Sequence, residues 1–173
     1  GFVIARKLHE NSFNVTVMMA MGLPGDDISS EMLSRVRALN IPIVYYDGKG
    51  ATRKFFEKAQ IIVDCIFGIG FSGQPDTTAT ALFSDINTSS ASVVSIDVPS
   101  GLDGDGDTDT DNCVSADMTV AVLALKPVHV LKPSADKCGK VVLAPIGVPD
   151  KCFAAASVSL FTVNTEEVKR FLK

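Results

Sequence analysis

Two short apolar runs in this chain each end in an aspartate and then break into a glycine-bearing loop. They read IIVDCIFGIGFSGQP, around Asp64, and SVVSIDVPSGLDGDG, around Asp97. A short, nearly continuous apolar run bounded by turn residues predicts a strand buried on both faces, as in a parallel sheet. Each run therefore delivers a carboxylate and a close-packing turn to the C-terminal end of a strand. In an open α/β sheet, ligands bind in the crevice outside those ends. The pair locates a site before it defines the chemistry.

The rest of the chain alternates helix and strand signals. Helical spacing is expected over Phe2 to Leu8, with a strand over Phe13 to Met18. Ser29 and Ser30 offer N-caps for a helix through Leu39. Ile43 to Tyr46 reads as a strand, Thr52 to Ala59 as a short amphipathic helix, Ile61 to Phe67 as a buried strand, Thr77 to Ile86 as a helix and Ser92 to Asp97 as a buried strand. Further strands are expected at Met118 to Leu123, Lys140 to Ala144 and Leu160 to Val163, with a final helix at Glu166 to Leu172. Strands separated by helices predict a doubly wound α/β fold, its mostly parallel sheet covered by helices on both faces. The 173 residues are enough for one such domain.

Charge and cysteine usage narrow the function classes. A formal net charge of -4 without a basic patch argues against nucleic acid or an anionic membrane as partner, which leaves a small ligand. No apolar stretch approaches the roughly 20 residues that span a bilayer. Cys65, Cys113, Cys138 and Cys152 are irregularly spaced, without a C-x-x-C pair, so reduced thiols and an intracellular, reducing compartment are expected. The acidic stretch GLDGDGDTDTDN, residues 101 to 112, fails the EF-hand count from Asp103, because Thr108 and Val114 stand where glycine and glutamate are required. It reads as a solvated loop held extended by its like charges.

Gly68, Gly70 and Gly73 satisfy G-x-G-x-x-G after a strand and before a helix, and Asp97 ends the next strand. This is the pattern of a dinucleotide fingerprint, or of a glycine-rich turn needed only for chain reversal. Pro75, which delays the helix, and Asp64, inside the strand end, do not fit an ordinary dehydrogenase.

DCIFGIGFSGQP, SIDVPSGLDGDGDT, ADMTVAVLALKP and LKPSADKCGKVVLAPIGVP, in that order and spacing, resemble the YjeF N-terminal domain family of NAD(P)H-hydrate epimerases over nearly the whole chain. The resemblance implies a Rossmann-like domain that interconverts the R and S forms of NADHX and NADPHX, the reduced cofactors hydrated at C6. It implies a potassium ion held by Asp64 and Ser100. Gly68, Ile69, Gly70, Phe71, Ser72, Gly73 and Gln74 would cradle the substrate's phosphates, and Asp97 would contact the substrate. A functional partner, NAD(P)H-hydrate dehydratase, a homodimeric assembly and a cytoplasmic or mitochondrial location are implied as well. In such domains a central strand and an N-N-G-G-D loop precede the position of Gly1. Their absence from this sequence predicts a gap in the sheet between the strands at 13–18 and 61–67, with the first helix aimed at the 68 to 74 loop. It also predicts that these 173 residues, expressed alone, aggregate and are inactive.

The residue chemistry is compatible. C6 of the hydrate is a carbinolamine carbon, so inversion needs a proton donor and acceptor at its hydroxyl, and Asp97 is the candidate acid/base. Asp64 and Ser100 supply hard oxygen ligands, or else cap their own loops. Lys126 either orients substrate or pairs with Asp117, the ion pair being favoured. His9 and His129 lie in segments without a partner pattern and are expected to serve packing or the surface. The other class of function is a non-catalytic scaffold of the same fold, for protein interaction or RNA decapping. Retention of Asp64, Asp97 and Ser100 together favours the enzyme. A plain NAD-dependent dehydrogenase lacks its catalytic histidine or tyrosine–lysine set.

Overall fold

In the computed structural model, residues 1–48, 50–106, 109–149, 151–152 and 168–170 are described. The order is α1 (Phe2–Glu10), β1 (Val17–Met19), α2 (Asp27–Ala38), β2 (Ile43–Tyr45), α3 (Arg53–Lys58), β3 (Ile61–Asp64), α4 (Thr77–Asn87), β4 (Ser92–Ile96), β5 (Met118–Val122) and β6 (Lys140–Ala144). Two 3₁₀ turns, Pro127–His129 and Ser134–Lys137, join β5 to β6. Among the described residues every strand pairing is parallel. The fold is α/β, mostly parallel and Rossmann-like, as expected. The expected strand at Leu160 to Val163 lies outside the described residues, as does most of the helix at Glu166 to Leu172.

The strands form two separate sheets, β1-β2 and β3-β4-β5-β6. The expected gap between the first strand and β3 is therefore present among the described residues. A Cβ built on Gly1 would lie 3.3 Å from Cys65 Cβ, so the start of α1 abuts the residue after Asp64 rather than the 68–74 loop itself.

Local physics moves several boundaries. The first strand begins at Val17 because the residues before it close α1: Ser12 adopts φ 67 and donates to His9 O at 2.9 Å, while Phe13 N donates to Leu8 O at 3.1 Å. These are the two bonds of a Schellman end, with serine where glycine is usual. α2 starts before Ser29 because Asp26, extended at φ -117, accepts Ser29 N at 2.7 Å. The same bond pulls the Asp26 carboxyl below its ordinary pKa. A carboxylate at the positive end of a helix is an effective cap.

α4 positions the site. Asp76 caps it through Ala79 N at 2.8 Å, and Ala79, Leu82, Phe83 and Ile86 form its buried face. That spacing is the i, i+3, i+4, i+7 stripe of an amphipathic helix. With Phe56, Val93 and Val114 these side chains make the main core. A second core, Val98, Leu102, Cys113, Val128 and Cys138, lies under the loops that follow β4 and β5.

The acidic stretch departs from expectation. Gly101, at φ 98, lies so close to Asn112 O that a Cβ there would overlap it, and Leu102 is 1% exposed. Cβ atoms at Gly104 and Gly106 would come within 3.2 Å of Ile69 and Val128 respectively. The glycines let the backbone lie directly on its neighbours, while Asp105, Asp109 and Asp111 remain exposed. The loop is packed on one side and charged on the other.

Candidate active site

β3 and β4 run side by side with Asp64 opposite Ser95, so both strands end at the same edge of the sheet. Asp64, the last residue of β3, is 2% exposed. Its Oδ1 accepts Ser100 Oγ at 2.5 Å and Ile66 N at 3.2 Å; its Oδ2 accepts Ser95 Oγ at 2.8 Å and Ser100 N at 2.9 Å. Burial pushes this carboxyl's pKa up, and the donated hydrogen bonds oppose the rise. Four donors fill the four acceptor positions of an ionised carboxylate. Ser100 Oγ in turn accepts Phe67 N at 2.9 Å, which ties the start of the glycine loop to the turn after β4.

This cluster is built of oxygen. Asp64 Oδ1, Ser100 Oγ and the Phe67 carbonyl, itself 3.4 Å from Ser100 Oγ, converge at the buried Asp64 carboxyl. Among the described residues no lysine or arginine forms an ion pair with Asp64. A buried charge is ordinarily paired or bound to a metal ion. In chemical type these oxygens suit a hard monovalent cation, which at Asp64 would take the place of one of the four donors.

Asp97 lies one residue beyond β4 and holds φ 73, a left-handed conformation costly for a non-glycine residue. Its N–H donates to Val120 O at 2.8 Å. Its Oδ1 accepts Lys126 Nζ at 2.5 Å and Val122 N at 3.2 Å. Oδ2 points toward Gly68, where a Cβ would lie 3.9 Å away, and among the described residues no hydrogen bond occupies it. Lys126 is held by three acceptors, since Nζ also donates to Val122 O at 3.1 Å and Ala124 O at 3.4 Å. The expected Lys126–Asp117 pair does not form: Asp117, exposed just before β5, accepts Val93 N on Oδ2 at 2.7 Å where the β4–β5 pairing begins. Lys126 reaches the strand end instead, and its partner is the candidate acid/base.

The loop between the carboxylates divides into a fixed and an open half. Phe67 stacks on Phe71 with centroids 4.5 Å apart and meets Phe83 edge-on at 6.2 Å, while Phe71 N donates to Gly68 O at 2.9 Å. Gly68 faces Asp97, and Ile69 lies over Gly104 although it is 60% exposed. Gly70, Ser72, Gly73 and Gln74 are exposed, with Gly73 at φ 88. The helix after the loop differs from that of an ordinary dinucleotide fold, because Asp76 places a carboxylate where such a fold receives pyrophosphate. Phosphate contacts would therefore fall on loop backbone.

Among the residues proposed from sequence, Asp64 joins Ser100, and Asp97 joins Gly68. Sequence reasoning missed Ser95, the pairing of Lys126 with Asp97, and His129. The last is 6% exposed, with Nε2 2.7 Å from Asp97 O and Nδ1 accepting Lys126 N at 2.9 Å. The only sequence signal was the spacing of Lys126, Pro127 and His129, three positions that one tight turn brings to one side.

The family model described as YjeF-related protein N-terminus matches residues 1–128. The chain is 35% identical over 161 residues to the bifunctional NAD(P)H-hydrate repair enzyme Nnr of Pyrobaculum aerophilum, covering 86% of this chain and 30% of that protein. It is 30% identical over 152 residues to the NAD(P)H-hydrate epimerase of Lentilactobacillus buchneri, covering 86% of this chain and 66% of the relative. The chain thus spans under a third of the bifunctional relative and about two thirds of the stand-alone one. The crystal structure of yeast ynu0, YNL200c, superimposes with a TM-score of 0.76 at 18% identity, over 96% of this chain and 69% of that one, which establishes the fold. With the paired strand-end aspartates and the loop between them embedded in that matched region, the chain belongs to the YjeF-related N-terminal domain family.

Proposed function

We propose that this domain carries the epimerase activity of nicotinamide cofactor repair, interconverting the R and S forms of NADHX and NADPHX at C6. The observation that carries the reading is the state of Asp97. One carboxylate oxygen is clamped by an ammonium, and the other faces Gly68 of the glycine loop with no hydrogen bond on it among the described residues. The epimerase name borne by the Lentilactobacillus buchneri relative supports the same chemistry.

At C6 a hydroxyl and the ring nitrogen share one carbon. Inversion proceeds by either of two balanced routes. In one, the hydroxyl loses its proton as the C6–N1 bond breaks, its electron pair passing to N1, which is protonated; the aldehyde so formed recloses on the opposite face. In the other, the hydroxyl is protonated and leaves as water, with N1 supplying the electron pair to C6, and water returns to the other face with loss of a proton. Both routes require a proton to move at the hydroxyl oxygen, and Asp97 Oδ2 is the group offered for it. Lys126 orients Asp97 through Oδ1 without competing for Oδ2. The loop from Gly68 to Gln74 would receive the substrate's phosphates through its backbone N–H groups, a role glycine suits because no Cβ obstructs approach.

We assign a potassium ion to the Asp64–Ser100 cluster. When bound, it supplies a fixed positive charge that balances the Asp64 carboxylate. The partner implied by the chemistry is a dehydratase that accepts one epimer and restores the reduced cofactor.

The test is chiral chromatography of NADHX incubated with the full-length protein. Equilibration of an enriched epimer faster than the spontaneous rate is the expected result. No acceleration, with intact folding, would leave the scaffold reading.

A further inference from the structure

We propose that His129 is a positioning residue for Asp97, holding its main chain in the left-handed conformation through an Nε2–H hydrogen bond to the Asp97 carbonyl. The kinetic part of this inference rests on the epimerase reading; the structural part does not.

The tautomer follows from the contacts. Nδ1 lies 2.9 Å from the backbone N–H of Lys126, which can only donate, so Nδ1 accepts and carries no proton. The ring proton therefore sits on Nε2 and points at Asp97 O, 2.7 Å away. Burial lowers the His129 pKa, which keeps the ring neutral and this arrangement intact.

The turn that holds His129 also holds Lys126. Lys126 precedes the 3₁₀ turn Pro127–His129, and Pro127 presets the backbone at its first position. One turn thus grips Asp97 twice, the Lys126 ammonium on its carboxylate and the His129 ring on its carbonyl. Gly104 O accepts Val128 N at 3.1 Å, so the turn is anchored to the packed glycine loop beneath it. Asp97 is one of four non-glycine residues with positive φ among the described residues, and it is the one that presents a carboxylate to the crevice. Its N–H is bound by Val120 O, and its carbonyl is the second handle. Releasing that handle leaves the peptide after Asp97 held only by its own N–H, which Val98 donates to Ile96 O at 3.0 Å, and lets the Asp97 backbone relax from its left-handed φ, which carries Oδ2 away from Gly68.

Two amide substitutions separate the roles of the ring nitrogens. Asparagine places an acceptor where Nδ1 stands and has nothing to reach Asp97. Glutamine places an N–H donor where Nε2 stands. In full-length protein, His129→Asn is expected to lower kcat by about 10- to 100-fold with KM changed less than about 3-fold, the cost of misplacing a catalytic group by around an ångström. His129→Gln is expected to keep kcat at least about 10-fold above His129→Asn. Equal kcat values for the two variants, or wild-type kcat in His129→Asn, would overturn the inference.

A second readout stands apart from activity. Nitrogen NMR of labelled histidine should find the Nε2-protonated tautomer. The Asp97 amide coupling should report a left-handed φ in wild type and His129→Gln and an altered one in His129→Asn. An Nδ1-protonated ring, or an unchanged Asp97 coupling in His129→Asn, would overturn the positioning role. Wild-type protein that passes the NMR test but fails to equilibrate NADHX would sink the epimerase reading and leave the positioning role standing.

Discussion

Asp64 and Asp97 end neighbouring strands of one sheet, yet their surroundings are opposite. Asp64 is sealed in and surrounded by neutral donors, two serine hydroxyls and two backbone N–H groups. Asp97 keeps 17% of its side chain exposed, pairs with a lysine and leaves one oxygen open toward a glycine loop. The difference lies in the backbone as much as in burial. Asp64 finishes a regular strand, so its side chain follows the pleat into the interior. Asp97 leaves the strand in a left-handed conformation, which turns its carboxylate out to the crevice. Two carboxylates with the same sequence signature thus sit in opposite surroundings, one tying the loops together and one left open beside the glycine loop.

The sharpest way to break this comparison is to neutralise each carboxylate in turn. Asp97→Asn should lower the rate of epimer interconversion by about 10² to 10⁴-fold, the usual weight of a positioned acid/base. Its denaturation midpoint should stay close to that of wild type, because the side chain is partly solvated and Lys126 keeps two carbonyl acceptors. Asp64→Asn should do the reverse. The new amide turns N–H groups on donors already pointing at it, so the unfolding free energy should fall by about 2 kcal/mol or more in urea titration. If Asp64→Asn leaves the midpoint unchanged, or Asp97→Asn leaves the rate unchanged, the division of roles is wrong.

How much of this was legible in the sequence follows from the range of the interactions. The strand ends and the helix at α4 follow from apolar runs and short turns, whereas the meeting of Asp64 with Ser100 came from the resemblance to the family. The missing pairing between β1 and β3 followed from the resemblance to the family. Lys126 and His129 reach Asp97 across 29 and 32 residues, and nothing local marks a lysine or histidine for that task. Asp117 offered a nearer opposite charge, but the β4–β5 pairing had already committed it to Val93 N. The packing of the acidic loop was hidden for a related reason. Charge pattern describes what its side chains do, whereas its glycines decide where the backbone lies.

A smaller effect sharpens the Asp64 half of the comparison. If its charge is balanced by a bound monovalent cation, potassium should raise the melting temperature above that in lithium at equal ionic strength. An ion bound only to the native state stabilises by RT ln(1 + [L]/Kd), about 2.7 kcal/mol at a hundredfold excess over Kd. Ser100→Ala removes one proposed ligand oxygen and should shrink the difference between the two salts, whatever its effect on stability itself. Equal melting temperatures in both salts would remove the ion from this site.

The smallest effect expected is on the pH dependence of stability, and it probes the Asp97 half. His129 meets Asp97 through its carbonyl and Lys126 through its backbone N–H, with the Asp97 carboxylate and the Lys126 ammonium as the charged groups acting on it. Burial lowers its folded pKa below the unfolded value of 6.5. The unfolded chain therefore binds more protons than the folded one in the window between those values. Stability then rises with pH across that window, so the contribution of the neutral ring is fully present above about 6.5 and is lost as pH falls through the lowered value. Protonation acts structurally as well, since a protonated Nδ1 can no longer accept Lys126 N–H. Asp64 contributes with the opposite sign, because a carboxyl with a raised pKa makes stability fall as pH rises from its unfolded value of 3.8. The wild-type curve alone would mix the two. Subtracting the urea-unfolding profile of His129→Gln from that of wild type isolates the ring, and the difference should grow with pH below about 6.5 and level off above it. A flat difference would mean that His129 is not held as a buried neutral ring, and that Asp97 owes its conformation to Lys126 and the strand end alone.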